Sequence, residues 1–85
     1  MPETKVGEVF QFFAKPSVAA VRIVDGSLKV GDRIHIIGHT TDFTQTVDSM
    51  QVEKETVEEA NAGDSIGIKV LDRVRPHDSV YKVDD

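Results

Sequence analysis

The chain has 85 residues, a length that allows one small domain with one modest core. It contains no cysteine, which excludes disulfides and thiolate metal sites and is typical of proteins from a reducing compartment. The N-terminal stretch is polar and precedes no long apolar run, so the sequence predicts neither a signal peptide nor a membrane span. We therefore expect a soluble, cytoplasmic protein.

The formal net charge is −5 at pH 7, and the acidic side chains are concentrated in one segment. Residues 41–65 carry seven acidic side chains against Lys54 alone, whereas residues 1–40 carry five basic and four acidic ones. Proteins that bind nucleic acid normally present a basic field. This distribution argues against strong nonspecific binding to RNA or DNA, although a small RNA contact on a neutral face stays open.

The apolar pattern predicts short strands from the beginning of the chain to its end. Residues 5–13 are apolar on both faces, which indicates a central or covered strand. Pro16 lies in the turn that follows, because proline fixes φ and lacks an N–H donor. Further strands are predicted at residues 18–24, 33–37, 44–52, 65–71 and 80–83.

Two segments of the second half have less regular patterns. In residues 44–52 the apolar positions change phase between Val47 and Met50, which predicts a β-bulge near Asp48. The acidic residues 53–61 connect this strand to the next one. They include the run Thr56-Val57-Glu58-Glu59, which matches a capping box, but the segment is too short for more than about one helical turn.

The stretch from Val24 to Ile34 organises the predicted fold. Gly26 and Gly31 can each take the positive φ of a tight turn, and the apolar Leu28 between them can fill a core. A second Gly-Asp turn follows at residues 62–64, and each of the two turns leads into a strand that contains isoleucine. Six short strands, glycine and proline turns and no amphipathic helix predict an all-β protein, a six-stranded, Greek-key-like closed β-barrel.

The doubled turn resembles a known family. The runs Gly26-x-Leu28-x-Val30-Gly31-Asp32-x-Ile34 and Ala62-Gly63-Asp64-x-Ile66-Gly67-Ile68 resemble domain II of translational GTPases, the β-barrel that follows the G domain in elongation factor Tu. The resemblance implies one translation-factor domain II-like barrel over residues 1–85. The sequence has no P-loop motif, so GTP binding is not expected. Residues 38–43 are also similar to a loop in the C-terminal barrel of collagenase-like peptidase-family proteins.

This resemblance also implies a binding site. In elongation factor Tu the barrel holds the aminoacylated 3′ end of transfer RNA, and the matching residues here are Glu8, Phe10, Gly63, Asp64 and Ser65. Phe10 could stack on a base, and backbone N–H groups of the turn could meet ribose or ester oxygens. In the alternative interpretation Phe10 lies in the core and the Gly63-Asp64 pair serves only the turn.

Two other groups of residues have a functional and a plain interpretation. His35 and His39 could bind zinc together with Asp42. On a regular strand, however, two residues four apart are separated by about 13 Å, so surface and loop positions are the plainer expectation. Near the C-terminus a small basic group could contact phosphate or pair with neighbouring acids; it consists of Arg73, Arg75, His77 and Lys82.

No arrangement in the sequence indicates catalysis. Ser65 lies in a Gly-x-Ser-x-Gly run, Gly63 to Gly67, but this run leads into a predicted strand and not into the helix of a nucleophile elbow, and no cysteine is available as a nucleophile. We therefore expect no enzymatic activity and no cofactor.

Two functional hypotheses remain. The first is a translation-factor-like binding module that contacts transfer RNA or ribosomal RNA. The second is a protein-interaction module that docks onto a separately encoded GTPase or peptidase-like partner, with the acidic residues 53–64 facing a basic surface.

Overall fold

The computed structural model describes residues 3–83, and within them it contains only strands and their connections. These residues include no helix, and hence none that could span a bilayer. The strands are β1 Glu3–Phe13, β2 Val18–Ile23, β3 Ser27–Lys29, β4 Arg33–Ile37, β5 Asp42–Thr46, β6 Met50–Val52, β7 Glu55–Val57, β8 Glu59–Asn61, β9 Ser65–Lys69 and β10 Ser79–Val83.

Eight of the strands form one antiparallel sheet, in the order β5-β4-β10-β1-β2-β9-β6-β7. The remaining two, β3 and β8, pair with each other in a separate ribbon. The all-β class is therefore confirmed, and β1 is central as expected. The six-stranded closed barrel is corrected: residues 3–83 form ten strands, and β5 and β7 end the sheet without pairing to each other.

The two irregular segments account for the difference in strand number. Residues 44–52 do not form one bulged strand: β5 ends at Thr46 and β6 begins at Met50, at distant places in the strand order. Val47 and Met50 are both buried, so the phase change marks the crossing between the two strands. The acidic residues form β7 and β8 instead of a helical turn, and Glu53 and Lys54 take φ of 52° and 70° in the turn before β7.

The two Gly-Asp turns are built alike. In the first, Gly31 has a φ of 98°, the Asp32 N–H donates to the Lys29 carbonyl, and an Asp32 carboxylate oxygen accepts from the Lys29 N–H at 2.8 Å. In the second, Gly63 has a φ of 97°, and Asp64 makes the same two contacts with Asn61, both at 2.9 Å. A positive φ at the third residue of a tight turn is the position where glycine costs least.

The ribbon of β3 and β8 joins these turns across the core. Leu28 and Ala60 face each other in the ribbon, and neither has any exposed surface. Each turn also exchanges two backbone hydrogen bonds with a buried residue of a neighbouring segment, at 2.8–2.9 Å: the first with Val47 and the second with Ile23. The ribbon and both turns therefore anchor the segments that lead into β4 and β9.

The Gln45 side chain spans the gap between β5, at one end of the strand order, and the end of β9. Gln45 of β5 is only 7% exposed, and its amide nitrogen donates to the Lys69 carbonyl at 2.9 Å. Its amide oxygen accepts from the Leu71 N–H at 2.8 Å. One amide group therefore supplies the two hydrogen bonds that a neighbouring strand would otherwise make.

We expect Gln45→Ala to lower the free energy of unfolding by about 1–3 kcal/mol, because a partly buried backbone acceptor at Lys69 and a partly buried donor at Leu71 lose their partner. Urea unfolding followed by circular dichroism measures the change. Gln51→Ala is the matched control, since Gln51 is an exposed glutamine of β6. Equal effects of the two substitutions would contradict a bridging role for Gln45.

Candidate binding surfaces

Phe10 lies on the surface because β1 is irregular at this point. The pairing of β1 with β2 shifts register between Val9 and Gln11, so Phe10 has no partner residue on β2. Its side chain is 46% exposed, and that of Phe13 is 44% exposed. The interpretation that placed Phe10 in the core is therefore wrong, since the fully buried side chains of residues 3–83 are aliphatic ones and Met50.

The two exposed phenylalanines border a shallow groove of about 220 Å³, which we call the Phe10–Phe13 groove. Ala20 and Gly67 are paired across β2 and β9, and both line it. A Cβ atom on Gly67 would lie 3.3 Å from Val18, so the groove is already tightly packed at that point. The other lining residues are Val18, Gln51, Glu53, Lys54, Ser65 and Ile66.

Three polar residues lie in one row beside this groove. Glu8 pairs with Arg22 across β1 and β2, and Arg22 pairs with Ser65 across β2 and β9. The Arg22 guanidinium carbon lies 5.8 Å from the centroid of the Phe10 ring, a cation–π distance. The Lys5 ammonium, 2.9 Å from Glu8, holds the pKa of that carboxyl below its usual value. The row therefore carries both signs of charge.

Gly63 and Asp64, the other two residues of the predicted site, form hydrogen bonds within the protein. The Gly63 N–H donates to the Ile23 carbonyl at 2.8 Å, and the Asp64 N–H donates to Asn61. Their backbone donors are therefore already used within the protein. Of the five predicted residues, Glu8, Phe10 and Ser65 offer side chains beside the groove, and their contact with a ligand stays a prediction.

His35 lies between two carboxylates. Its Nδ1 is 3.0 Å from both oxygens of Glu3, and its Nε2 contacts the Asp42 carboxylate. A carboxylate accepts, so this arrangement needs a proton on each nitrogen. The hydrogen bond to Asp42 raises the pKa of His35, partial burial opposes this, and Glu3 raises it further.

This geometry does not bring together the ligands of the zinc hypothesis. Asp42 contacts Nε2 of His35, whereas His39 forms no side-chain hydrogen bond or ion pair with either of them among residues 3–83. Among residues 3–83 no group of three ligand-type side chains could hold a metal ion. The basic group near the C-terminus is also divided: Lys82 pairs with Asp32 at 3.3 Å, whereas Arg73 and Arg75 line a separate cleft.

The sequence pattern missed Phe13 and Arg22 as surface residues of this region. Arg22 was detectable, because it alternates with the buried Val21 and Ile23 in β2. Phe13 was not, because the apolar pattern of β1 continues across a change of register.

Comparison with known proteins gives a family and several relatives. Residues 17–75 match the family model "Elongation factor Tu domain 2". A collagenase of Porphyromonas gingivalis is 40% identical over 83 residues, which are 96% of this chain and 23% of the relative. A Methanocaldococcus jannaschii protein named as an uncharacterized protease is 41% identical over 78 residues, or 91% of this chain and 19% of the relative. The chain therefore spans about a fifth of the length of these two relatives.

A solved structure has the same fold. The C-terminal domain of a Geobacillus thermoleovorans protein assigned to the U32 peptidases superposes with a TM-score of 0.86 at 20% identity, over 96% of this chain and 93% of that one. The names of these relatives concern peptidases and not translation, so the comparisons support the domain II fold but give no support to a role in translation.

We expect the His35 cluster to stabilise the protein in a pH-dependent way. Because the folded pKa of His35 is raised, its contribution is complete below the unfolded pKa of about 6.5 and is lost as the pH rises through the folded value. Urea midpoints of the wild type and of His35→Gln should therefore differ most near about pH 6 and converge at higher pH. The same series on His39→Gln, at an exposed loop position, is the control; a pH-independent difference for His35→Gln would contradict the assignment.

Proposed function

We infer that this chain, which belongs to the elongation factor Tu domain 2 family, is a non-catalytic protein-interaction module that docks onto a peptidase-like domain. One observation carries the inference: almost the whole chain is 40% identical to a segment that makes up 23% of a collagenase. In the collagenase this segment belongs to the same chain as the rest of the enzyme and can therefore contact it. A domain of the same kind can meet the equivalent surface of a peptidase-like partner.

The Phe10–Phe13 groove has the composition of a docking surface. Two exposed aromatic rings border a bed of small residues, and such rings supply much of the binding energy where proteins meet. Glu53 lines the groove and begins the acidic residues 53–59, which extend from its rim through β7 to β8. An apolar centre with an acidic segment on one side fits a partner that presents an apolar patch next to a basic surface.

The absence of a catalytic function is part of the proposal. The chain has no cysteine, and its Gly-x-Ser-x-Gly run at Ser65 leads into strand β9 and not into the helix of a nucleophile elbow. The carboxylates closest to a histidine, Glu3 and Asp42, form hydrogen bonds with both of its ring nitrogens and leave neither as a base. A location in the cytoplasm remains a prediction from the absence of cysteine.

The docking prediction can be measured with the Porphyromonas gingivalis collagenase after removal of its matched segment. We expect the labelled chain to bind the shortened enzyme, more weakly at higher salt because charges contribute at the border. Phe10→Ala should weaken binding about tenfold, as the loss of an aromatic anchor does. Fluorescence anisotropy gives both affinities.

Val24→Ala is the matched control, because Val24 is 51% exposed and lies outside the groove. Equal affinities of Phe10→Ala and Val24→Ala would remove the groove from the interface. If the wild-type chain neither binds the shortened enzyme nor restores its folding when fused in place of the segment, the docking proposal is wrong.

A specific observation favours a second candidate, the binding of a single-stranded RNA end. The exposed Phe10 ring is accessible for stacking on a base, and Arg22 beside it could meet a phosphate. Transfer RNA and ribosomal RNA both provide such ends. This function would use the same surface as docking and would therefore compete with it.

An amide-shift titration with a short RNA hairpin that ends in single-stranded CCA tests this candidate. We expect shifts at residues 8–10, 22 and 63–67 that persist at moderate salt and are reduced at least severalfold by Phe10→Ala. A hairpin with a blunt end is the control for nonspecific attraction. The lack of any shift at low salt, where RNA contacts are strongest, would exclude the RNA function.

A further inference from the structure

The outer edge of β5 has backbone groups that make no sheet hydrogen bond within residues 3–83. β5 ends the strand order of the sheet and pairs only with β4. In an antiparallel pair, directly opposite residues alternate between those that exchange hydrogen bonds and those that do not. Once the hydrogen bonds at one end of the two strands are known, they determine which of the other opposite residues exchange hydrogen bonds.

Both ends of the β4–β5 pair give the same alternation. The Gly38 N–H donates to the Thr41 carbonyl at 2.7 Å at the turn, and the Val47 N–H donates to the Asp32 carbonyl at 2.9 Å at the other end. The pairs Ile37–Asp42 and His35–Thr44 are thus of the kind that exchange no bonds. The N–H and C=O groups of Asp42 and Thr44 consequently point away from β4.

A cleft of about 330 Å³ adjoins this edge. Thr40, Thr41, Asp42 and Phe43 line it on one side, and the loop after β9 lines it on the other through Asp72, Arg73 and Arg75. Gln45 spans the space between β5 and Lys69 farther along the strand, so the opening lies at the Asp42 end. The cleft therefore borders the part of the edge where the outward backbone groups are accessible.

The cleft contains two arginine side chains without ion pairs. Arg73 and Arg75 are exposed, and neither takes part in a salt bridge among the described residues. Val74 between them is buried and fixes this part of the loop. The two acids of the cleft are already engaged, because Asp42 accepts a hydrogen bond from His35 and Asp72 accepts one from the Arg73 N–H.

We propose that the outer edge of β5 binds an extended peptide segment with an acidic side chain, which adds a strand beside Asp42 and Thr44 and places its carboxylate on Arg73 and Arg75. Main-chain hydrogen bonds to a sheet edge supply affinity, and a charge-assisted contact selects the side chain. The proposal goes beyond the docking function, because β4 and β10 separate this edge from β1 and the Phe10–Phe13 groove.

The probe is a peptide of sequence Thr-Val-Glu-Val-Thr with a fluorophore on its N-terminus and an amide at its C-terminus, and it has the five-residue length of β5. A peptide with Lys in place of Glu is its counterpart. We expect the Glu peptide to bind at least about tenfold more tightly than the Lys peptide, as an ionic hydrogen bond gives. Amide shifts should be largest at Thr44 and in residues 72–75.

Two variants separate the arginine contact from general charge. Arg73→Gln/Arg75→Gln should weaken binding of the Glu peptide about tenfold. Lys15→Gln/Lys29→Gln removes the same charge from two exposed positions outside both the cleft and the Phe10–Phe13 groove and should leave the affinity near that of the wild type.

Thr44→Pro tests the strand edge itself. The Thr44 N–H makes no bond to β4, so proline removes only an outward donor and should be tolerated on an edge strand. We expect an unchanged amide spectrum outside β5 and a loss of peptide binding. If this variant does not fold, the arginine variants still decide the proposal.

Three outcomes would overturn the proposal. The first is no binding of the Glu peptide at about 1 mM, the weak limit of specific recognition. The second is equal affinity for the Glu and Lys peptides. The third is a concentration-dependent shift of the Thr44 amide without peptide, which would assign the edge to a second copy of this chain. None of these results bears on the Phe10–Phe13 groove, so the docking function would stand or fall separately.

Discussion

The paired Gly-Asp turns are the constraint on which the rest of this fold depends. Each turn needs a glycine at a positive φ and an aspartate that accepts from the N–H three residues earlier. The β3–β8 ribbon fixes the two turns relative to each other through Leu28 and Ala60. Because β4 and β9 leave the ribbon from these turns, their directions set where the two halves of the sheet lie.

This scaffold leaves two of the four phenylalanines, Phe10 and Phe13, on the surface. Aliphatic residues and Met50 form the buried core, and Phe12 and Phe43 pack against it while remaining partly exposed. β1 pairs with β10 and β2 and shifts register against each of them, once before Gly7 and once at Phe10. The second irregularity turns an aromatic ring outward next to small residues of β2 and β9. The Phe10–Phe13 groove is thus a product of how the central strand fits its neighbours.

The sequence predicts the local part of this structure and not the pairing. The turns at Gly31 and Gly63 and the bounds of β4 follow from short-range patterns, which depend only on neighbouring residues. The phase change near Asp48 is visible too, but whether it marks a bulge or a crossing depends on which strand each half pairs with. The sequence of β7 and β8 shows no apolar alternation. These segments are strands because they pair with β6 and β3, and that pairing is not visible in a local pattern. Likewise, the exposure of Phe10 follows from a register shift that no local pattern records.

The contact that the Gln45 amide makes between β5 and the end of β9 is a weak point of the structure. Two paired strands are held together by many backbone hydrogen bonds along their length. Between β5 and the end of β9, the Gln45 side chain alone makes the two hydrogen bonds, and a side chain can rotate. β5 and residues 69–71 can separate without breaking any backbone hydrogen bond between paired strands, because they are not neighbours in the sheet. Fluctuations of the native state should therefore be unequal, with sub-global opening at this seam at a lower free energy than unfolding of the central strands.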